Sequence, residues 1–191
     1  HDATSTGNRF ALWRVDPSGA APPQRVPGGT DLGPVFAWRD RLFSTSAPGG
    51  MSATETRVTA TRGAGDTLFV PLFGTERKDE MPRISPDGRY IAYRSVQGAD
   101  RYLYLRRFPD VDSGRWLISS GPVSSTPLWS PDARTIYIVN QQRQVEAITL
   151  RDADGDVQVA SRRSLFDASA YWIQLYAGWD LAPDGSRFIM L

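Results

Sequence analysis

Cysteine is absent from the 191 residues, and histidine and lysine occur only once each, as His1 and Lys78. Without cysteine the chain forms no disulfide, no thiolate metal site and no cysteine nucleophile. A single histidine at position 1 also excludes an internal Ser-His-Asp triad and a histidine-rich metal centre. The commonest catalytic and metal-binding chemistries are therefore missing.

Long apolar runs and a strong charge of one sign are missing as well. No stretch approaches the roughly 20 apolar residues of a membrane-spanning helix, and the formal net charge of +1 gives no field that favours nucleic acid. No Gly-x-Ser-x-Gly elbow, phosphate loop or dinucleotide fingerprint occurs. We therefore predict no enzyme, no cofactor, no metal, no nucleic-acid partner and no transmembrane segment. Because the chain starts at His1 rather than Met, we interpret it as processed or cut from a longer protein.

What the chain does contain is typical of a globular all-β protein. Hydrophobic residues make up 40% and aromatic residues 11%, alongside 17 glycines and 14 prolines. This combination indicates many turns between short, aromatic-rich strands. Because no stretch keeps a 3.6-residue apolar period, we expect very little helix. The length suits one domain over residues 1–191.

Internal repeats organise the sequence. Residues 82–93, 127–138 and 179–190 each read as a short apolar strand, a Ser/Ala-Pro-Asp-Gly/Ala turn and an alternating strand, and residues 34–45 are a decayed fourth copy. Equivalent positions recur at intervals of 48, 45 and 52 residues. Repeats of this length with several strands each indicate a β-propeller.

The repeated turn has a local mechanism. The proline presets φ at the first corner, the serine and aspartate bond nearby backbone, and the glycine accepts a left-handed conformation. Ala133 replaces that glycine in the second copy, where its Cβ should be unfavourable. The predicted turn residues are Pro86, Asp87 and Gly88, then Pro131 and Asp132, then Pro183, Asp184 and Gly185.

Further alternating segments complete four strands per repeat. They cover residues 101–107, 115–119, 144–150 and 157–160.

These strands predict three internal blades and one shared blade. The internal blades span residues 33–74, 81–120 and 126–166, and residues 9–28 and 179–191 supply the two halves of the fourth. Pairing of strands from both termini would close a four-bladed ring and remove exposed sheet edges. The alternative is a half-propeller completed by another chain.

The motifs at residues 84–93 and 129–132 resemble the TolB-type, WD40-like propeller repeat. Residues 101–109, 114–119 and 127–132 resemble most the C-terminal propeller that follows some bacterial serine/threonine kinases. This resemblance implies a bacterial, extracytoplasmic (periplasmic) sensing or protein-binding module rather than an activity. Kinase motifs themselves are absent.

One aromatic stretch, residues 166–179, lengthens the last interval between repeats. Its side chains Tyr171, Trp172 and Tyr176 are candidate partner contacts, because tyrosine and tryptophan are typical anchors of binding surfaces. The alternative is that they pack between blades, which we expect of Trp179 in this stretch and of Trp38 and Trp129 elsewhere.

Two loops need separate interpretation. Asp152, Asp154 and Asp156 could bind a hard cation, but an acidic hairpin turn in solvent explains them more simply. Residues 44–54 are rich in small and polar residues and are predicted to form a flexible loop.

The sequence therefore favours a non-catalytic protein-binding or scaffold module, such as an extrinsic subunit that stabilises a larger membrane-associated complex. The alternative is an extracytoplasmic ligand- or peptide-sensing propeller fragment of a kinase-type receptor. A third hypothesis, an enzyme that uses carboxylates at the ring axis, has no motif behind it.

Overall fold

The structure is a computed structural model that describes residues 11–30, 35–46, 57–63, 68–72, 78–153, 155–173 and 178–191. These residues form antiparallel β-sheets, and no helix occurs among them. The all-β prediction is confirmed. Three of the sheets have four strands each, as predicted for propeller blades. None of the described residues belongs to a helix that could cross a membrane.

The first compact unit, residues 1–78, contains a hairpin and one four-stranded blade. The hairpin pairs β1 (Ala11–Arg14) with β2 (Gln24–Thr30). The blade follows in chain order with β3 (Phe36–Trp38), β4 (Arg41–Ser46), β5 (Arg57–Ala60) and β6 (Val70–Pro71). The decayed repeat at residues 34–45 therefore still forms two paired strands, because its apolar positions survive without the Pro-Asp-Gly turn.

The second compact unit, residues 79–191, contains two complete four-stranded sheets and a final hairpin. Its first sheet consists of β7 (Asp79–Ile84), β8 (Tyr90–Gln97), β9 (Asp100–Arg107) and β10 (Arg115–Leu117). Its second sheet consists of β11 (Leu128–Trp129), β12 (Thr135–Val139), β13 (Gln144–Ala153) and β14 (Asp156–Asp167). The hairpin pairs β15 (Trp179–Leu181) with β16 (Phe188–Met190).

The core of this second unit lies between successive sheets. Leu103 and Leu105 of β9 and Ile136 and Ile138 of β12 are among its fully buried members. These pairs are two residues apart on their strands, so each strand turns one face to this core. Trp129 packs against the same cluster, and its indole Nε1 donates to the Arg83 carbonyl at 3.1 Å. The apolar residues that alternate along these strands in the sequence are therefore the ones that the structure buries.

The three repeated turns share a left-handed residue. Gly88, Ala133 and Gly185 have φ angles of +76°, +60° and +73°. In the second turn the Ser130 hydroxyl donates to Asp132 Oδ1 at 2.6 Å. That bond, together with the Arg134 amide, lowers the pKa of Asp132. The turns are therefore held by bonds made within a few residues, which explains why they are legible in the sequence.

Substituting Ala133 with glycine should stabilise the second unit by about 0.5–1 kcal/mol, because glycine relieves the Cβ strain at positive φ. Urea unfolding of the wild type and the Ala133→Gly variant measures the difference. Gly88→Ala is the matched control and should destabilise by a similar amount. If Ala133→Gly proves less stable than the wild type, the Cβ of Ala133 does not destabilise the turn.

Strand β14 is much longer than the predicted segment 157–160. It continues to Asp167 and pairs with β13 along its length, with two interruptions of register. The residues of its middle part, 160–164, are all exposed. An outer strand exposed in this way has no hydropathy pattern, so only its backbone pairing identifies it.

Two predictions concern regions that the structure leaves open. Of the predicted flexible loop 44–54, residues 44–46 belong instead to strand β4, and residues 47–54 lie outside the described residues. The shared blade formed by residues 9–28 and 179–191 stays a prediction, as does its alternative of completion by another chain.

Candidate functional site

The segment after β14 returns the chain to the final hairpin and carries the exposed aromatics. Ala168 and Ile173, at its two ends, are buried in a core cluster with Trp179. Between them Tyr171 is 42% exposed and Trp172 is 56% exposed. The segment is thus anchored at both ends and directs two large aromatic side chains towards solvent.

A local turn begins this segment. The Ser169 hydroxyl and amide both donate to Asp167 Oδ1, and these two bonds lower the pKa of Asp167. The Tyr171 amide then donates to the Ala168 carbonyl at 3.1 Å. Hydrogen bonds between residues close in the chain therefore hold the backbone that leads to Tyr171 and Trp172.

Arg143, in the turn between β12 and β13, holds the same segment from the other side. Its guanidinium donates to the carbonyls of Ala168 at 3.0 Å, of Ile173 at 3.5 Å, and of Tyr171. Its own carbonyl accepts the Ala168 amide at 2.7 Å. A planar guanidinium suits this role, since it presents several donors in a fixed fork.

Arg143 makes these contacts from a strained backbone. Its φ angle is +63°, a conformation that few residues other than glycine adopt readily. Glycine would fit the turn better, but it would lack the three donors to the segment. The strain is therefore retained where a side chain positions an exposed surface.

The last residue of the chain fixes Trp172 at its other end. The Trp172 amide donates to the Leu191 carbonyl at 2.6 Å, and the Leu191 amide donates to the Gly178 carbonyl at 2.9 Å. Gly178 has a φ angle of +106°, and a Cβ there would lie 2.2 Å from the Trp172 carbonyl oxygen. Only glycine permits this close approach of the two backbones.

Leu191 and Ile189 add apolar surface beside the aromatics. They are 69% and 57% exposed; Ile189 lies on β16, and Leu191 directly follows that strand. Together with Tyr171 and Trp172 they form what we call the aromatic patch. Four exposed large apolar side chains carried on connected backbone are typical of a protein interaction surface.

The aromatic residues considered as partner contacts in the sequence analysis therefore differ in their exposure. Tyr171 and Trp172 are exposed in the aromatic patch, whereas Tyr176 lies outside the described residues. Trp179 is buried, with its indole Nε1 donating to the Thr126 carbonyl at 3.1 Å and its ring stacked on Phe188. Sequence reasoning missed Arg143, because nothing in its neighbours distinguishes it from other arginines in turns.

In the acidic turn, the carboxylates of Asp152 and Asp156 accept hydrogen bonds from other side chains of the chain. Asp152 accepts from Arg89 at 2.6 Å and from the Tyr90 hydroxyl at 3.2 Å, and Asp156 accepts from the Trp116 indole at 2.5 Å. Asp154 lies outside the described residues. Among the residues that are described, no group of three or more His, Asp or Glu side chains is placed to hold a metal ion.

A cleft of about 550 Å³ lies beside this turn, between the ends of the two complete sheets of the second unit. It is lined by charges of both signs: Arg89, Arg134 and Arg151 face it together with Asp87 and Asp132. The lining residues come from two of the repeated turns and from strands β8, β13 and β14. A cleft of this size could accept a small polar ligand.

Comparison with known proteins identifies the fold. No family model matches the chain, and no curated protein matches it. A solved structure of a candidate TolB protein of Agrobacterium tumefaciens superimposes with a TM-score of 0.69 and 18% identity, covering 94% of this chain. The chain spans 62% of the length of that protein.

A second match comes from a structural study of two prolyl endopeptidases. It has a TM-score of 0.51 and 15% identity, and it covers 83% of this chain but 25% of that protein. At such identities the likeness concerns the fold alone. Together with the repeated four-stranded antiparallel sheets, it shows that the chain has a β-propeller fold.

Proposed function

We propose that this chain is a non-catalytic protein-binding module whose contact surface is the aromatic patch. The observation that carries the proposal is the pair Tyr171 and Trp172, exposed to solvent on a backbone held by Arg143 and Leu191. A backbone segment that is held in place before binding loses less conformational entropy when the partner docks. Tryptophan, tyrosine and arginine are also the residues that most often dominate binding energy.

The partner we propose is another protein subunit of a larger membrane-associated assembly, outside the cytoplasm of a bacterium. The resemblance of the repeats to TolB-type propellers supports this location, and the TolB-like fold is consistent with it. The chain would act as an extrinsic scaffold subunit. Its near-neutral formal charge of +1 is compatible with a protein partner and gives no attraction to nucleic acid.

Trp172→Ala should weaken binding to that partner by about 30-fold, which corresponds to the roughly 2 kcal/mol of a typical hot-spot tryptophan. The partner is isolated from the envelope fraction of the source with the wild-type chain as bait, and its affinity for each variant is then measured with purified proteins. Leu117→Ala is the matched control, because Leu117 is 52% exposed but lies on β10 in another blade.

Arg143→Gly tests whether the held conformation matters. Glycine relieves the strain of the positive φ and removes the guanidinium that bonds the segment, so stability should change little and binding should weaken.

Equal affinities of the wild type and Trp172→Ala for the purified partner would refute the proposal. A broad glycosidase and esterase panel with measurable turnover would refute the non-catalytic assignment.

A second candidate function is favoured by the cleft of about 550 Å³ beside the repeated turns. It is the alternative inferred from the sequence: a ligand- or peptide-sensing propeller fragment of a kinase-type receptor. A thermal-shift screen of small polar ligands distinguishes the two functions, because a ligand present at 100 times its Kd adds about 2.7 kcal/mol of stability. A ligand that stabilises the wild type and Trp172→Ala but not Arg134→Ala would show that ligand binding takes place in the cleft.

A further inference from the structure

The cleft between the two complete sheets of the second unit lies wholly within residues 87–157. Charged residues of both signs line it, and their formal charges cancel. The cations are Arg89, Arg134 and Arg151, and the anions are Asp87, Asp132 and Asp152. A balanced lining gives no long-range attraction for a ligand with a net charge of either sign. The cleft therefore suits a ligand that is neutral overall.

Three of these residues are already paired within the protein. Asp152 accepts from the Arg89 guanidinium at 2.6 Å and from the Tyr90 hydroxyl at 3.2 Å. The Arg151 guanidinium donates to the Gln158 side chain at 2.6 Å. The contacts of Asp152 join the two sheets, so they shape the wall of the cleft.

The other three residues keep groups that no described residue bonds. In Asp87 and Asp132, Oδ1 accepts from the serine hydroxyl two residues earlier and from the amide two residues later. Their Oδ2 atoms have no hydrogen-bond partner among the described residues. The Arg134 guanidinium likewise has no hydrogen bond or ion pair with a described residue. Two acceptors and one fork of donors therefore remain for a ligand.

Asp132 and Arg134 present opposite charges from one turn. The Arg134 amide donates to Asp132 Oδ1 at 3.0 Å, but the guanidinium and the carboxylate do not pair with each other. An α-amino acid carries an ammonium and a carboxylate on the same carbon, so one molecule bonds both groups. Hydrogen bonds between ionised groups are about twice as strong as neutral ones. The turn therefore favours a small zwitterion over a ligand with a single charge.

Leu150 and Ala133 supply apolar surface beside these charges. Both line the cleft, and Leu150 is partly buried against the core of the second unit. Ligand sites typically combine apolar walls with a few polar groups that fix the orientation of the ligand. An amino acid with an aliphatic side chain uses both kinds of surface.

We propose that the cleft binds a free α-amino acid with an aliphatic side chain. The ligand carboxylate accepts from the Arg134 guanidinium, its ammonium donates to Asp132 and Asp87, and its side chain lies against Leu150. The inference rests on the second candidate function, ligand sensing, and names the class of ligand. It involves no residue of the aromatic patch.

Three related compounds test which charges are recognised. L-leucine carries both charges, N-acetyl-L-leucine lacks the ammonium, and L-leucinamide lacks the carboxylate. Calorimetric titration of each compound into the full chain measures its affinity. We expect leucine to bind about tenfold or more tightly than either derivative, because each derivative leaves one charged group of the cleft without its partner.

Neutral variants then assign each contact. Asp132→Asn keeps the oxygen that the turn uses and removes the charge, so it should weaken leucine about tenfold and leave N-acetyl-leucine unchanged. Arg134→Gln should weaken leucine by a similar factor and leave leucinamide unchanged. Arg163→Gln is the matched control for leucine binding, because Arg163 is exposed and is not among the residues that line the cleft.

Equal affinities of the three compounds, or no heat of binding with leucine, would overturn the proposal. An affinity for leucine that neither Asp132→Asn nor Arg134→Gln changes would do the same. If a variant fails to fold, as judged by circular dichroism, the three compounds titrated into the wild type still decide.

The thermal-shift screen separates this proposal from the function on which it rests. If the screen finds a different small ligand that requires Arg134 while leucine does not bind, the amino-acid assignment fails and ligand sensing stands. If neither leucine nor any ligand of the screen binds, both fail. Loss of the protein partner in Trp172→Ala bears on the aromatic patch alone.

Discussion

Replacing Arg94 with methionine is expected to lower the free energy of unfolding by about 3–5 kcal/mol. Arg94 lies in the middle of β8, and its side chain is completely buried. Its guanidinium donates to Glu80 Oε1 at 2.5 Å and to the Ser125 carbonyl at 3.5 Å. Methionine would fill part of the space but would leave the buried Glu80 carboxylate without its main partner.

The physical reason for this large effect is the asymmetry of buried ion pairs. A buried pair contributes modestly when it is complete, because desolvation of both charges offsets their attraction. Removal of one partner leaves the other charge buried and poorly compensated. Among the described residues, Glu80 would retain Arg101, whose Nε donates at 2.9 Å from a side chain that is 38% exposed.

Urea unfolding followed by far-UV circular dichroism measures this prediction, with Arg101→Met as the matched control. The control should lose about 1 kcal/mol or less, since its partly exposed pair is screened by water. The double variant Arg94→Met with Glu80→Leu should recover part of the loss, because no lone charge remains. Equal losses for Arg94→Met and Arg101→Met would contradict the explanation.

Trp179→Ala should destabilise the protein by about 3–5 kcal/mol, as large aromatic truncations in packed cores do. Trp179 is 8% exposed and lies in the cluster that joins the last hairpin to the preceding blade. Its ring stacks on Phe188 with centroids 5.7 Å apart, and its indole bonds the Thr126 carbonyl. Truncation removes the packing and leaves that buried carbonyl without this donor.

Trp172→Ala is the natural control, because the same truncation is made seven residues away at a position that is 56% exposed. It should change stability by less than about 0.5 kcal/mol. Chemical unfolding of the two variants side by side separates packing from surface. Similar losses for both would mean that Trp172 is part of the core and would remove the basis for the aromatic patch.

Much of the fold was predictable because its signals are local. The Ser-Pro-Asp-Gly turns are fixed by φ preferences and by bonds within about five residues, so three turns could be placed from composition and spacing. Central strands such as β9 and β12 bury alternate side chains, and their alternation is legible for the same reason. The repeat interval then indicated the propeller.

The outer strand β14 could not be delimited in this way. Its residues 160–164 are exposed, four of the five are polar, and backbone pairing with β13 places them in the sheet. Hydropathy carries no information where neither face of a strand is buried. The predicted strand segment therefore ended at residue 160, although the predicted blade ran to residue 166.

The candidate site, too, could be predicted from the sequence only in part. The sequence alone identified Tyr171 and Trp172 as candidate anchors, and by itself it determined the turns, the inner strands and the absence of a cysteine, a triad or a phosphate loop. Tertiary structure decided that Trp172 is exposed while Trp179 is buried, that Arg143 holds the segment, and that Arg94 is paired in the core. Bonds between residues close in the chain are written in local sequence, whereas burial and pairing across tens of residues depend on which strands become neighbours.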